Sequence, residues 1–297
     1  MTDRSPTTGQ PAWQSMLQRW AKYAPPGRPS PLDVENFRDR LLLAVEQAAD
    51  RTGATPERPA QVLVLGATPE LRSMLAGLPQ VRVTLIDYLL PMLQAMTELL
   101  TTPAPDETWV KGDWITAPLP ERYFDAVLSD LVLANLPHER QRALVERVHR
   151  LLKPGGRWIN RIDCVDENSR FLELEELLER YVSDEPPTQS DICFLRCAAG
   201  LRHWDQETGF QSWGGLGEAM ERYREDGRFT HPDPRANRLL EAVWEITEPF
   251  DKPYWLREKS ALDDMLKHWF SIEHEIRDDA VVPHHERGYY LYDLKPQ

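Results

Sequence analysis

Four short apolar runs in the first half of the chain each end on residues suited to holding a polar ligand. Residues 61–65 stop at Gly66-Ala67-Thr68-Pro69, and residues 81–86 stop at Asp87-Tyr88. Trp109-Val110 leads into Gly112-Asp113-Trp114, and residues 124–128 lead into Ser129-Asp130-Leu131. A glycine closing a strand permits a sharp turn and leaves room for a ligand against the backbone. Thr68 then supplies a helix N-cap and Pro69 suits the first helical position, so a ligand carboxylate can meet the positive end of that helix. Read alone, this segment is equally an ordinary turn between a strand and a helix. Asp87 stands 21 residues after Gly66, where an acidic side chain accepts from both hydroxyls of a ribose; by itself it also reads as a solvated turn residue. A dinucleotide fingerprint needs glycine where this chain has Thr68 and Leu71. Close approach of a pyrophosphate is therefore disfavoured and a nucleoside without phosphates is favoured.

These residues need a scaffold that brings four strand ends to one edge. The runs have the length and bounded apolarity of buried parallel strands, with helical segments between them, which is a βαβ series. The clearest helix spans about 138–152, with Leu144, Val145, Val148, Leu151 and Leu152 on one face. Lys153-Pro154-Gly155-Gly156 stops it, and residues 157–162 form the next strand. Upstream, Trp13, Met16, Leu17 and Trp20 recur at helical spacing, residues 32–49 form a second helix, and residues 51–59 read as a loop. Downstream, residues 166–267 are helical and loop material rich in aromatics. Alternation over 270–277 and a β-rich run at 288–294 predict an antiparallel pair.

The division that follows is an N-terminal helical cap (1–60), a ligand-binding core (61–165), a helical insertion acting as a substrate lid (166–262) and C-terminal strands completing the sheet (263–297). A chain of 297 residues with 41% apolar content supports one elaborated domain of this kind. The net charge of −13 offers no basic field for nucleic acid or an anionic membrane. Three cysteines, a polar start without a signal-type apolar core and the lack of a bilayer-length apolar run predict a soluble cytoplasmic protein. Cys193 and Cys197 lack the neighbours that would complete a tetrahedral set, so no metal site is expected.

In order and spacing, VLVLGATPEL (62–71), VTLIDYLLPML (83–93), VKGDW (110–114), FDAVLSDLVLANL (124–136) and LLKPGGRW (151–158) resemble the class I S-adenosylmethionine-dependent methyltransferases. The resemblance is good over about 60–163 and topological over 262–297. It implies a doubly wound α/β fold: a seven-stranded, mostly parallel sheet with an antiparallel last strand, here with N-terminal helices and a helical insertion before the final strand pair. It also implies S-adenosyl-L-methionine as cofactor, held by Gly66, Ala67, Thr68, Asp87, Tyr88, Met92, Asp113, Trp114, Ser129, Asp130 and Leu131. Asp87 would take the ribose, Asp113 and Trp114 the adenine, and Ser129-Asp130-Leu131 the methionine moiety; Trp114 reads as core when taken alone. The chain departs from the family in having one glycine in the first turn where two or three are usual. LKPGG is assigned a structural part only.

Methyl transfer from a sulfonium is an in-line displacement that depends chiefly on alignment and exclusion of water. An acceptor that must lose a proton benefits from a base. Candidates are His203, His231, His274, His284 and His285, with His203 preferred because His203-Trp204 lies in the aromatic insertion. The insertion, with Trp13, Trp20 and Tyr23, is expected to roof the site and choose a small-molecule acceptor methylated on oxygen or nitrogen. Most of its aromatics fit equally as the core of the cap itself. A protein-directed methyltransferase and a non-catalytic S-adenosylmethionine-binding partner are the competing readings.

Overall fold

The computed structural model describes residues 17–52, 59–102, 106–248, 250, 252–277 and 287–297. Helix α1 (Pro31–Thr52) opens on a reciprocal cap: Ser30 N–H donates to Asp33 Oδ2 at 2.8 Å and Asp33 N–H to Ser30 Oγ at 3.0 Å. It runs three residues beyond the expected end, and residues 53–58 of the expected loop lie outside the described residues. Of the N-terminal helical segment, Leu17–Lys22 forms a 3₁₀ turn, while Trp13 and Met16 lie outside the described residues.

The βαβ series follows as β1 (Ala60–Leu65), α2 (Pro69–Ala76), β2 (Val81–Asp87), α3 (Leu90–Thr97), β3 (Glu107–Lys111), β4 (Phe124–Asp130), α4 (His138–Leu151) and β5 (Leu152–Cys164). After helices α5 (Leu174–Tyr181), α6 (Gln189–Leu201) and α7 (Trp213–Glu221) comes a two-stranded ribbon, β6 (Arg224–Glu225) and β7 (Arg228–Phe229). Helices α8 (Pro234–Thr247) and α9 (Lys259–Lys267) then lead to β8 (Phe270–Arg277) and β9 (Gly288–Pro296). Seven strands make one sheet in the order β3-β2-β1-β4-β5-β9-β8. The β1–β5 pairings are parallel, and β9 runs antiparallel to both its neighbours. The α/β class, the strand number and the antiparallel last strand are as the sequence predicts.

One difference lies at the predicted helix stop. α4 ends at Leu151, and β5 begins at once, taking Lys153-Pro154-Gly155-Gly156 into the strand. The extra length is absorbed as an irregularity against β4, where pairing jumps from Phe124↔Leu152 to Ala126↔Arg157. Gly155 takes φ +75° there, and a Cβ on Gly156 would press within 3.1 Å of two backbone oxygens.

Apolar side chains cover both sheet faces: Phe37 and Leu41 of α1 with Leu71 and Leu93 on one, Leu144, Val148, Leu266 and Phe270 around Trp158 on the other. The segment between β5 and α9 has its own cluster, with Leu177, Leu195, Leu216, Leu240 and Val243 fully or almost fully buried. Its two ends meet at the sheet, where Val165 pairs with Glu258 and Lys259 N–H donates to Val165 O at 2.7 Å. Among the described residues, no helix is long and apolar enough to cross a membrane.

Beneath the β2 edge lies a buried ion pair. Arg72 reaches Glu107 by two hydrogen bonds, at 2.8 and 3.0 Å, and also donates to Leu93 O and Thr97 Oγ1, joining α2, α3 and β3. Both side chains are shut off from water. Truncation of one partner strands the other's charge in the interior. Arg72→Ala is therefore expected to destabilise the fold by about 3 to 5 kcal/mol in urea unfolding; an effect below about 1 kcal/mol would show that the pair behaves as a surface bridge.

Candidate functional site

A cavity of about 810 Å³ opens along the carboxyl ends of β1, β2 and β4, between the sheet and the segment after β5. Ligands of open α/β sheets bind at this edge, where strand ends diverge around the reversal in strand order; here β1 and β4 are those neighbours.

Gly66, Ala67 and Thr68 line it. Gly66 takes φ +95°, which strains an L side chain, and its N–H donates to Ile86 O at 2.8 Å. A Cβ placed on it would meet no atom within 4 Å, so the space above this backbone is open. Thr68 occupies the N-cap position of α2, but its side chain makes no capping hydrogen bond, which differs from the expected cap.

Asp87, Tyr88 and Met92 form the next part of the wall. Asp87 Oδ1 accepts from Leu89 N–H at 2.8 Å, which fixes the carboxyl at the end of β2. Burial pushes its pKa up to about 6, against the lowering effect of the Leu89 and Tyr88 amides. Among the described residues no cation is paired with it.

Asp113 and Trp114 also line the cavity. Asp113 is heavily engaged: Oδ1 accepts from Ile115 and Thr116 N–H at 2.9 and 3.2 Å, and Oδ2 pairs with Arg140. Trp114 donates from Nε1 to Ile86 O at 3.0 Å and packs on the core while also bordering the cavity. The ring thus lies between the core and the cavity.

Asp130 and Leu131 complete the sheet side, and Leu131 is held at φ +52° by its N–H bond to Arg161 O at 2.8 Å. Asp130 receives Arg161 Nε at 2.7 Å; burial still pushes it up to about 6 because the cation beside it offsets only part of the desolvation. Ser129 stands behind the wall. Its hydroxyl bonds Asn160 Oδ1 at 2.7 Å and accepts from Trp158 Nε1 at 2.8 Å inside the sheet, and it does not border the cavity. Alternation along β4 turns it into the core.

His203 is also displaced. The turn after α6 points its ring at α7, so close that a Cβ on Gly215 would lie 2.6 Å from Nδ1. It is absent from the cavity wall, and burial with Arg202 lowers its pKa. A base must reach the proton it removes, so His203 is not carried forward. His231 packs on Tyr223, His274 lies on β8, and His284 and His285 lie outside the described residues.

The cavity is bordered opposite the sheet by Trp20 and Tyr23 from the N-terminal segment and by Arg196, Trp213, Lys252 and Tyr254 from the insertion, with Arg287 at the entry to β9 and Tyr289 within it. The aromatic members were visible as composition. The cations were not, since arginines or lysines in helical, loop and strand-entry sequence usually mark solvated faces.

Residues 65–156 match the family model of a methyltransferase domain. No curated protein sequence matches the chain. Among solved structures, a provisionally described zinc-dependent alcohol dehydrogenase from Rhodobacter sphaeroides is similar at 17% identity and TM-score 0.56, covering 99% of this chain and 100% of its own. At that identity the likeness speaks to the fold alone. The 1,6-didemethyltoxoflavin-N1-methyltransferase of Burkholderia thailandensis, crystallised with its substrate and S-adenosylhomocysteine, is 15% identical with TM-score 0.48, covering 100% and 92% of the two chains. The N-methyltransferase NodS of Bradyrhizobium japonicum is 12% identical with TM-score 0.47, covering 98% and 100%.

The carboxyl of Asp87 generates a stability prediction. Folding raises its pKa from 3.8 to about 6, so the folded chain holds this proton more tightly than the unfolded chain. That contribution is full below pH 3.8 and is lost as pH rises through 6. Asp87→Asn is expected to raise the ligand-free unfolding free energy at pH 7.5 by about 1 to 3 kcal/mol, with the gain shrinking by more than half at about pH 4.5. A gain of equal size at both pH values would show that titration of Asp87 is not its source.

Proposed function

We propose that this chain, whose residues 65–156 match a methyltransferase-domain model, is a class I Rossmann-like S-adenosylmethionine-dependent methyltransferase that transfers the methyl group to an oxygen or nitrogen of a small molecule enclosed between sheet and insertion. The observation that carries this reading is one cavity bordered on one side by Gly66, Asp87 and Trp114 and on the other by Trp213, Tyr254 and Tyr289. A roofed pocket of this size suits a small acceptor better than a protein chain, which would need an open groove.

The residues present fit the cofactor. Open space over Gly66 admits a ligand against the backbone, and Asp87, fixed by Leu89 and unpaired with any described cation, is placed to accept from ribose hydroxyls. Tyr88 and Met92 flank that position and Trp114 offers a ring for the adenine. Asp113 acts here through Arg140 and the Ile115 and Thr116 amides, shaping the loop rather than presenting a free carboxylate. Asp130 and Leu131 border the space toward the acceptor side. When bound, S-adenosylmethionine supplies the electrophilic methyl group. The chain's contribution is to align the acceptor with it and to exclude water, for which the aromatic roof is suited.

Calorimetry with S-adenosylhomocysteine tests the cofactor site. Asp87→Ala is expected to weaken binding roughly ten to a hundredfold, the loss of a charge-assisted acceptor. Wild-type affinity should also fall as pH drops below about 6, because the neutral carboxyl no longer favours two donated hydrogen bonds. Unchanged affinity in a folded Asp87→Ala variant removes Asp87 from the site, and tight NADH binding by the wild type overturns the cofactor assignment. Trp114→Ala is expected to lower cofactor affinity more than folding stability; a large fall in melting temperature with normal affinity would place the ring in the core alone.

A further inference from the structure

Three cationic side chains reach the roof of the same cavity: Arg196 from α6, Lys252 from the loop after α8, and Arg287 at the entry to β9. Arg196 is only 7% exposed, and its guanidinium carbon lies over the Trp213 ring, 3.8 Å from the centroid, with Tyr23 further off. Among the described residues no carboxylate pairs with it, and its buried Nε has no hydrogen-bond partner. An aromatic face attracts a guanidinium but does not neutralise it. A cation taken out of water without a counter-charge is costly unless something completes its surroundings.

Arg287 is answered by one carboxylate. It forms an ion pair with Asp163 and donates to Gln211 Oε1 at 3.2 Å, while Tyr254 O–H shares the same Asp163 oxygen. The Tyr254 ring links the group: Arg287 Cζ and Lys252 Nζ each lie 5.2 Å from its centroid, and Trp213 meets it edge-on at 5.8 Å. Burial and the repulsion of Arg196 push Lys252 down to about 7, with Arg287 adding to the repulsion and Asp163 opposing it. The roof thus concentrates positive charge in an acidic protein, beside the aromatic surfaces of Trp213, Tyr254 and Tyr289.

Resting on the methyltransferase reading above, we infer that the acceptor is a small organic anion, whose oxyanion group is held by Arg196 with Lys252 and Arg287 and whose body lies along the aromatic wall. The guanidinium edges match a carboxylate or phosphoryl group by paired N–H donors. The bound anion supplies the counter-charge that Arg196 lacks among the described residues. Trp213, Tyr254 and Tyr289 border the cavity beside these cations and give the rest of the molecule an apolar wall.

The test uses the full chain saturated with S-adenosylhomocysteine, titrated with benzoate, phenyl phosphate and benzamide, the last matching benzoate in size but carrying no charge. At least one of the two anions is expected to bind tenfold or more tightly than benzamide, and the tighter of the two identifies the oxyanion class. Arg196→Gln should weaken that anion by at least tenfold while S-adenosylhomocysteine affinity stays within about twofold of wild type. If this variant fails to fold, Lys252→Met provides the same comparison with an expected loss of threefold or more. Anions no tighter than benzamide, or unaffected by the variant that folds, overturn the inference while leaving the methyltransferase reading intact. Failure of the wild type to bind S-adenosylhomocysteine at all instead overturns the reading on which it rests.

Discussion

A single buried guanidinium ties the sheet edge to the elements that close over it. Arg161, near the end of β5 and only 1% exposed, gives Nε to Asp130 at 2.7 Å and both terminal nitrogens to Pro26 O at 3.1 Å, with Asp33 at 3.6 Å. Its own carbonyl receives Leu131 N–H. The end of β4, the start of α1 and the N-terminal segment carrying Tyr23 are thereby referenced to one atom group. Two carboxylates facing one cation without water make each contact strongly dependent on geometry. The bond that holds Leu131 in a left-handed conformation also fixes the cavity wall at the end of β4.

The cavity is consequently polarised. Its sheet end carries carboxyl groups, with Asp87 and Asp130 both pushed toward neutrality by burial. Its roof carries Arg196, Lys252 and Arg287, with Asp163 paired to Arg287. Partial burial strengthens such an arrangement, because fixed charges inside a cavity are screened less than at an open surface. Ligand orientation can then be set by opposite ends of one space, with hydroxyl donors drawn to Asp87 and anionic groups drawn to the roof. In-line transfer needs that kind of two-ended positioning more than it needs a strong base.

What could be read from sequence followed from how each residue is used. Strand ends at Gly66, Asp87, Asp113 and Asp130 were legible because local rules act there: apolar runs stop, glycine turns the chain, and carboxyl groups follow. Ser129 failed for a geometric reason, since the side-chain alternation of β4 carries it into the interior beside Trp158 and Asn160. His203 failed because adjacency to aromatics within an insertion does not determine which way a turn will face; it packs on Gly215. Arg161 stood in the strand sequence Trp158-Ile159-Asn160-Arg161-Ile162, where a lone charge amid apolar residues was a signal of a buried partner. Arg196, Lys252 and Arg287 come from three distant segments, and their convergence is a product of tertiary packing alone.

The sheet edge also collects features that oppose folding. Leu131 takes φ +52°, Thr68 leaves its cap bond unmade, and two buried carboxyls sit above their ordinary pKa. Each would be removed by selection for stability alone: an L residue in the left-handed region costs about 1 to 2 kcal/mol, and an uncapped helix start about 1 kcal/mol. The opposite ends of these strands carry Arg122 at φ +50° and Gly155 at φ +75°, and there Asp125 is bonded to Gln61 N–H at 2.9 Å and to Lys153 at 2.7 Å. At the cavity wall, Leu131 and the two raised carboxyls are held in place by bonds to their neighbours, which is how a fold sets groups in a fixed geometry before a ligand arrives. The rigid core of α1, α2 and the two sheet faces is what makes that possible, because well-packed surroundings leave the strained residues no neighbouring conformation to relax into.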